Sequence, residues 1–159
     1  MFSGRYPHNI DSKGRTSFPS RFRDVLSELG DDKIVLTNHL NDQLPCLEAW
    51  PLSRWKAILS KATKLPRMAE YTQYLMRWYI SSALECQVDQ QGRILVPPYY
   101  REHAKLTKEV LWSGVTDHLE LWSKDMWERH IASLRESRSF DLGMLNSVFE
   151  LEQTRKEEQ

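Results

Sequence analysis

The sequence lacks the features that would place the chain in a membrane or in an oxidising compartment. None of its apolar runs approaches the roughly 18 residues that a membrane-spanning helix needs, and the first residues contain no apolar signal core. The two cysteines, Cys46 and Cys86, are far apart and form no Cys-x-x-Cys spacing. We therefore expect a cytoplasmic protein with two free thiols.

Signals for catalysis are equally scarce. The sequence has no glycine-rich loop that would cradle a phosphate and no nucleophile elbow. The histidines show no paired metal-ligand spacing with one another or with the cysteines; they are His8, His39, His103, His118 and His130. The sequence thus predicts no enzyme, no metal, no cofactor and no small-molecule substrate.

The chain also has no net charge, because 22 Lys and Arg residues balance 22 Asp and Glu residues. The charges are unevenly spread, however. Residues 1–23 contain one acid, Asp11, and a cluster of cations, which are Arg5, Lys13, Arg15, Arg21 and Arg23. A protein binds phosphate with one face and not with its mean charge. This segment is therefore a candidate nucleic-acid contact, and a merely solvated basic surface is the alternative.

What the sequence does contain is an internal repeat. Residues 10–26 align with residues 88–104 at an offset of 78. The identical pairs are Asp11/Asp89, Gly14/Gly92, Arg15/Arg93, Pro19/Pro97 and Arg23/Arg101. The alignment continues at an offset of 76 from residues 34–36 and at 72 from residues 47–50. Because the offset falls along the alignment, the first copy has the longer connection between its last two strands, around residues 38–45. The ordered series of matches indicates a duplication.

Each copy predicts the same order of elements. A strand ends at the Asp, the Gly three residues later supplies a turn, and a second strand runs to the Pro, which suits the first turn of a helix. In the first copy apolar residues then recur at helical spacing, and Gly30 stands where that helix would end. Two short strands follow, and a further helix begins near residues 51–53 in the first copy and 123–125 in the second.

Two more helical segments are predicted outside this pattern. From Pro66 to about Ser82, Met and aromatic residues recur at helical spacing, and we interpret them as a packing face; they are Met68, Tyr71, Leu75, Met76, Tyr79 and Ile80. A last helix is predicted from Phe140 to about Leu151, with fraying over residues 154–159.

An apolar content of 40% over 159 residues is enough for a compact core. Four short strands and one helix bury little alone, so we expect the two copies to complete one shared barrel around a pseudo-two-fold axis. The predicted class is α+β, with flanking helices. Its parts are repeat 1 at residues 5–53, a helical connection at 54–82, repeat 2 at 83–126, and a C-terminal helical segment and tail at 127–159.

The Asp-x-x-x-Arg spacing places an acid and an arginine on either side of a tight turn. The Asp side chain can accept local backbone N–H groups, and it can also orient the guanidinium. An arginine held in this way offers a planar fork to phosphate or to the O6/N7 edge of guanine. The first copy adds Lys13 beside Arg15, where the second has Gln91. A pair that merely fixes the hairpin is the alternative.

Several motifs together resemble the MraZ family, over roughly residues 1–135. They are Met1-Phe, Gly4, Asp11-Ser-Lys-Gly-Arg15, Pro19-x-x-Phe-Arg23, Glu85-Cys-Gln-Val-Asp89-x-x-Gly-Arg93 and Leu119-Glu-Leu-Trp122. The resemblance implies two tandem AbrB-like repeats in a swapped-hairpin barrel. It also implies a nucleoid-associated bacterial regulator of the division and cell-wall gene cluster, often a repressor of its own operon. Such a regulator forms ring-like homo-oligomers larger than a dimer and binds short direct repeats in double-stranded DNA.

The site residues that the resemblance implies are those at positions of this chain that match the MraZ motifs. The expected DNA-binding residues are Arg15, Lys13, Arg5, Gly14 and Arg93, with Asp11 and Asp89 orienting the turns. Two departures matter. Many members have a basic residue where this chain has Ser3, and Gln90-Gln91 replaces the Ser12-Lys13 of the first copy. The second turn is therefore expected to bind phosphate more weakly.

Two other classes of function are the alternatives for this sequence. Two acids from a duplicated β unit could form an aspartic-protease dyad, but Arg15 and Arg93 would keep both acids ionised, whereas a dyad needs one acid that protonates easily. An antitoxin-like or other protein-binding module of the same superfamily is the second alternative. Its exposed Trp and Tyr would form the contact, although Trp50/Trp122 and Trp55/Trp127 repeat in register as structural residues do.

Overall fold

The computed structural model describes residues 1–137 and 141–157. Residues Met1–Trp127 form one compact unit and Glu128–Gln159 a second. None of the helices in the described part of the chain combines the length and the apolarity that crossing a membrane requires.

The two copies contain the same elements in the same order, which confirms the elements predicted from the repeat. The first copy comprises β1 (Phe2–Asn9), β2 (Arg15–Ser17), α1 (Ser20–Leu29), β3 (Lys33–Asn38), β4 (Cys46–Pro51) and α2 (Leu52–Ala62). Between the copies lie α3 (Glu70–Tyr74) and its π-helical continuation, Leu75–Ile80. The second copy comprises β5 (Leu84–Gln87), β6 (Arg93–Leu95), α4 (Pro98–His103), β7 (Glu109–Thr116), β8 (Leu119–Ser123) and α5 (Lys124–Ser137).

Strands of each copy pair with strands of the other. β1 of the first copy pairs with β7 of the second, β5 of the second pairs with β3 of the first, and β4 pairs with β8. The sheet order is β1-β7-β8-β4-β3-β5, and exchanging the two copies leaves this order unchanged. The fold is therefore a pseudo-symmetric α+β structure in which neither copy has a sheet of its own.

The expectation of one closed barrel is wrong for the described residues. Their strands form an open six-stranded sheet with β1 and β5 at its edges, while β2 and β6 pair in a separate two-stranded sheet. A single bridge, Ile10 to Thr16, links β2 to the end of β1. β2 and β6 are three residues long, and Pro19 and Pro97 follow each of them closely. Because proline has no N–H to donate, pairing cannot continue past these points.

One apolar core is shared by both copies. Its fully buried aromatic members come from β1, α1, the end of β2 and β7, and they are Phe2, Phe18, Phe22 and Trp112. Phe22 packs edge-on against Phe2, with ring centroids 5.6 Å apart. Since both copies bury their apolar side chains in this core, we expect them to fold as one unit.

The segment between the copies only partly matches its prediction. The helix begins at Glu70, so Met68 precedes it and is 85% exposed, and Tyr71 is 61% exposed. Tyr79 is buried against Trp55 of α2 as expected of a packing face. The predicted packing face therefore contacts the core at Tyr79, and at Met68 and Tyr71 it is an exposed apolar surface.

In the second unit, α6 spans Leu142–Glu157. The prediction of a helix near this position is confirmed, but the helix continues through residues 154–157, where fraying was expected. The predicted start at Phe140 and the last two residues lie outside the described residues.

Candidate nucleic-acid interface

The first turn is built around Asp11, whose carboxylate organises the loop. Its Oδ1 accepts the backbone N–H groups of Lys13 and Arg15, both at 2.9 Å. Its Oδ2 accepts the Nε–H of Arg15, also at 2.9 Å. Gly14 adopts φ +87°, a conformation that side-chain-bearing residues resist. The turn therefore holds the Arg15 guanidinium in one orientation, as the Asp-x-x-x-Arg spacing predicts.

Electrostatics reinforce this arrangement. The backbone N–H of Arg15 is the main cause that holds the pKa of Asp11 below its usual range, and the guanidinium and the Lys13 N–H act in the same direction. Asp11 is consequently ionised throughout the neutral range. A carboxylate that stays ionised keeps its arginine paired, which also argues against a shared-proton catalytic dyad.

The second turn reproduces the first in nearly every contact. Asp89 Oδ1 accepts the N–H groups of Gln91 and Arg93 at 2.9 Å each, and the Arg93 N–H likewise lowers the pKa of Asp89. Gly92 has φ +74°. The side-chain pair is looser, because Arg93 Nε lies 3.4 Å from Asp89 Oδ2. The guanidinium of the second turn is thus less tightly fixed than that of the first.

The two arginines lie on one exposed face. In the two-stranded sheet Arg15 is opposite Leu95, Ser17 is opposite Arg93, and the buried Thr16 and Ile94 point to the other side. Arg15 and Arg93 are therefore diagonal neighbours, about 7–8 Å apart at the backbone by ladder geometry. We call this exposed surface of β2 and β6, with the two turns at its ends, the β2–β6 face.

Each turn also receives an arginine from the opposite copy. The Arg101 guanidinium of α4 packs against Gly14, where an added Cβ would lie 2.9 Å from its Nε, and its Nη1 is 3.5 Å from the Ser12 carbonyl oxygen. Arg23 of α1 packs even more closely against Gly92. The glycines allow this close approach, and five cations thereby lie on or beside the two turns and the strands between them: Lys13, Arg15, Arg23, Arg93 and Arg101.

Comparison with known proteins identifies the family. The family model described as "MraZ protein, putative antitoxin-like" matches residues 1–77 and 79–142. The chain belongs to the MraZ family.

Individual relatives agree, and each of the following is named "Transcriptional regulator MraZ". The protein of Caldanaerobacter subterraneus subsp. tengcongensis is 43% identical over 133 residues, covering 84% of this chain and 88% of the relative. That of Syntrophobacter fumaroxidans is 40% identical over 136 residues, covering 86% of this chain and 88% of the relative. That of Alkaliphilus metalliredigens is 44% identical over 130 residues, covering 82% and 86%. MraZ proteins are a non-enzymatic class, which confirms the prediction that this chain is not an enzyme.

The structure brings most of the predicted site residues together. Asp11, Lys13, Gly14 and Arg15 share the first turn, with Lys13 exposed at its tip. Arg93 and Asp89 join them through the second. Arg5 does not, because it lies within β1 opposite Ser113 and its guanidinium is over the Trp127 ring, 5.9 Å from the centroid.

The sequence grouped Arg23 with the cations of residues 1–23, and the structure shows which turn this arginine meets. Arg23 lies against the second turn and Arg101 against the first, because the strands of the two copies are exchanged. Because Arg23 aligns with Arg101 in the repeat, the sequence indicates that the two arginines have equivalent positions in their copies. The alignment does not indicate which of the two turns each arginine contacts.

Proposed function

We propose that this chain is a sequence-specific, DNA-binding transcriptional regulator. The observation that carries the proposal is the β2–β6 face, on which an arginine from each copy is paired with its own aspartate. Guanidinium groups held in this way can bind phosphates and read guanine edges in the major groove. Several cations spread over one face suit the repeating phosphates of double-stranded DNA, and the printed name of the relatives, transcriptional regulator, supports the same role.

The resemblance supports a more specific role. We infer that the chain acts in the cytoplasm, at the nucleoid, as a repressor that includes its own operon among its targets. It would bind short direct repeats upstream of the division and cell-wall gene cluster. The pairing of β1 with β7 and of β5 with β3 supports an AbrB-like swapped-hairpin fold built from repeats at residues 5–53 and 83–126.

An electrophoretic mobility shift experiment tests this function. The full chain is titrated onto the DNA that lies directly upstream of its own gene, and onto a shuffled fragment of equal length and base composition. Specific regulators typically prefer their sites by roughly 10³-fold or more, so we expect a shift of the native fragment alone at low concentration. Equal affinity for both fragments would contradict sequence-specific binding, and no shift at all would favour the antitoxin-like protein-binding alternative.

Binding should depend steeply on salt. Because each neutralised phosphate releases counterions, the logarithm of affinity should fall linearly with the logarithm of salt concentration, by about 0.9 per phosphate contact. Replacing Lys13 by Gln, the residue type found in the second turn, should lower this slope by about one for each bound subunit. Lys56→Gln removes the same charge from the exposed side of α2 and should leave the slope unchanged. A slope near zero would remove the phosphate contacts from the proposal.

We also propose that the chain assembles into a homo-oligomer larger than a dimer. A single β2–β6 face can contact only a short DNA site. When several linked subunits bind repeated sites on one DNA molecule, each bound subunit raises the effective concentration of the next and so increases the overall affinity. The exposed Met68 and Tyr71 provide an apolar surface for such contacts. Light scattering at micromolar concentration should give a mass well above two chains, and Met68→Glu should lower that mass. Ser27→Glu, which adds the same charge to an exposed position of α1, should not. A wild-type monomer would contradict the assembly.

A further inference from the structure

Two glutamates, the buried Glu48 and the partly buried Glu120, face each other where the two copies meet. The register of β4 and β8 places Glu48 directly opposite Glu120, and both belong to the repeated Leu-Glu-x-Trp motif. In each copy the indole Nε1 two residues later donates to Oε2 of its own glutamate at 2.8 Å. These hydrogen bonds, with one from the Tyr79 hydroxyl to Glu48 Oε2, fix the carboxylates. Oε1 of Glu48 accepts the N–H of Leu40 at 3.1 Å, and both Oε1 atoms face the same side chain, His39.

His39 lies near both carboxylates. Its Nε2 is 3.2 Å from Oε1 of Glu120 and 3.7 Å from Oε1 of Glu48. The residue comes from the long connection between β3 and β4, which is the main departure from symmetry between the copies. The second copy closes the corresponding turn with Asp117 and His118 alone, and the His118 ring stacks on Trp50.

Cys46 adds a thiol to the same cluster. Its side chain is fully buried, and its Sγ, the His39 Nε2 and a Glu120 carboxylate oxygen lie within 4.8 Å of one another. Among the residues that the structure describes, no hydrogen-bond partner is found for this Sγ. A buried, unpartnered thiol directed at an imidazole and two carboxylates is an unusual core feature and a suitable metal ligand set.

We propose that His39, Cys46, Glu48 and Glu120 bind one divalent transition-metal ion of the zinc class. Zinc holds nitrogen, sulfur and oxygen donors at about 2.0–2.3 Å in a tetrahedron, which separates the donors by roughly 3.3–3.8 Å. The 3.2 and 3.7 Å separations around His39 Nε2 are close to these edges. The sulfur must move closer, and Glu48 Oε1 must exchange the N–H of Leu40, which it accepts at 3.1 Å, for the ion. Imidazole and thiolate select such an ion over Mg²⁺ and Ca²⁺, which prefer oxygen donors alone.

Proton movements accompany binding. The N–H of Asn41 donates to Nδ1 of His39 at 3.0 Å, so the neutral ring carries its proton on Nε2. An ion at Nε2 displaces this proton to Nδ1, which breaks the bond from Asn41, and the Cys46 thiol releases its proton to solvent. Binding therefore changes the turn after His39. Residues 40–43 of that turn are exposed, so the change displaces no core side chain.

Titration of the untagged, metal-free full chain with Zn²⁺ tests the proposal. Calorimetry should give one ion per chain, and Co²⁺ should produce the near-ultraviolet absorption of a cobalt–thiolate bond. Cys46→Ser and His39→Gln should each weaken zinc binding by about 100-fold or more and abolish or reduce that absorption. Cys86→Ser removes the other buried thiol, which lies outside the cluster, and should change neither.

Three results would contradict the proposed metal site. If the wild-type chain binds no Zn²⁺, or if Co²⁺ gives no thiolate absorption, the site does not exist as proposed. Zinc binding that is unchanged in both Cys46→Ser and His39→Gln would come from surface groups and would equally overturn it. Thermal melting of each metal-free variant shows whether it is folded, and the isosteric Glu120→Gln replaces any variant that is not. None of these readouts depends on DNA binding.

Discussion

Replacing Arg15 by alanine is expected to abolish specific DNA binding while leaving the protein folded and oligomeric. Arg15 is the arginine most firmly oriented by its turn, because Asp11 Oδ2 accepts its Nε–H at 2.9 Å. Loss of one bidentate base contact costs about 1–3 kcal/mol per subunit. Linked subunits multiply this loss, so the affinity for the upstream fragment should fall by at least about 100-fold, measured by mobility shift at fixed salt.

Arg93→Ala should weaken binding less. Its turn has Gln91 in place of Lys13, and its guanidinium is held by the longer 3.4 Å contact. The Arg93–Asp89 pair lies at the surface, because the Arg93 side chain is 30% exposed and that of Asp89 44%. Both substitutions should therefore leave the melting temperature close to that of the unchanged protein.

Arg21→Ala is the matched control, since it removes the same charge from an exposed position of α1 outside the β2–β6 face. It should reduce affinity only slightly, through the general field of the protein. Equal losses for Arg15→Ala and Arg93→Ala would contradict the asymmetry between the turns. Unaltered binding by Arg15→Ala would contradict the β2–β6 face itself.

Truncating Trp112 should give the largest loss of stability. Its side chain is completely buried in β7, packs edge-on against Phe18, and donates its Nε1–H to the Ser17 carbonyl at 3.0 Å. Trp112→Ala opens a cavity at the junction of the two copies and leaves that carbonyl without its donor. The expected destabilisation is about 3–5 kcal/mol, which corresponds to a melting temperature lower by roughly 6–20 °C.

The same experiment tests whether the copies fold together. Because β7 pairs with β1 of the other copy, Met1–Trp127 should unfold in one transition in both the unchanged protein and the variant. Lys56→Ala removes an exposed side chain of α2 and should change stability by no more than about 0.5 kcal/mol. Two separate transitions in calorimetry, or a Trp112→Ala effect as small as that of Lys56→Ala, would contradict the shared core.

The predicted local features were correct where their causes are local. The positive φ angles of Gly14, Gly92 and Gly30 follow from turns and a helix end that close over a few residues. The Asp11–Arg15 pair likewise needs only a four-residue spacing across a tight turn. Such interactions are visible in sequence because their partners are always close along the chain.

The site was less predictable where partners come from different copies. Arg23 belongs to the cation cluster of residues 1–23, yet it meets the turn of the second copy. Arg5 was expected at the interface, but β1 carries it away from the turn, to Trp127. The cluster of His39, Cys46, Glu48 and Glu120 has no recognisable ligand spacing, because the sheet assembles it from both copies.

The sequence by itself determined the duplication, the order of elements and the two Asp-x-x-x-Arg turns, since these depend on residue identity and short-range hydrogen bonds. Only the tertiary structure decided that the sheet is open, that Arg15 and Arg93 share one face, and that Glu48 meets Glu120. These outcomes depend on which strands pair across the copies. That choice is made by the collective burial of side chains such as Phe22 and Trp112, which are distant in sequence, and no local pattern records it.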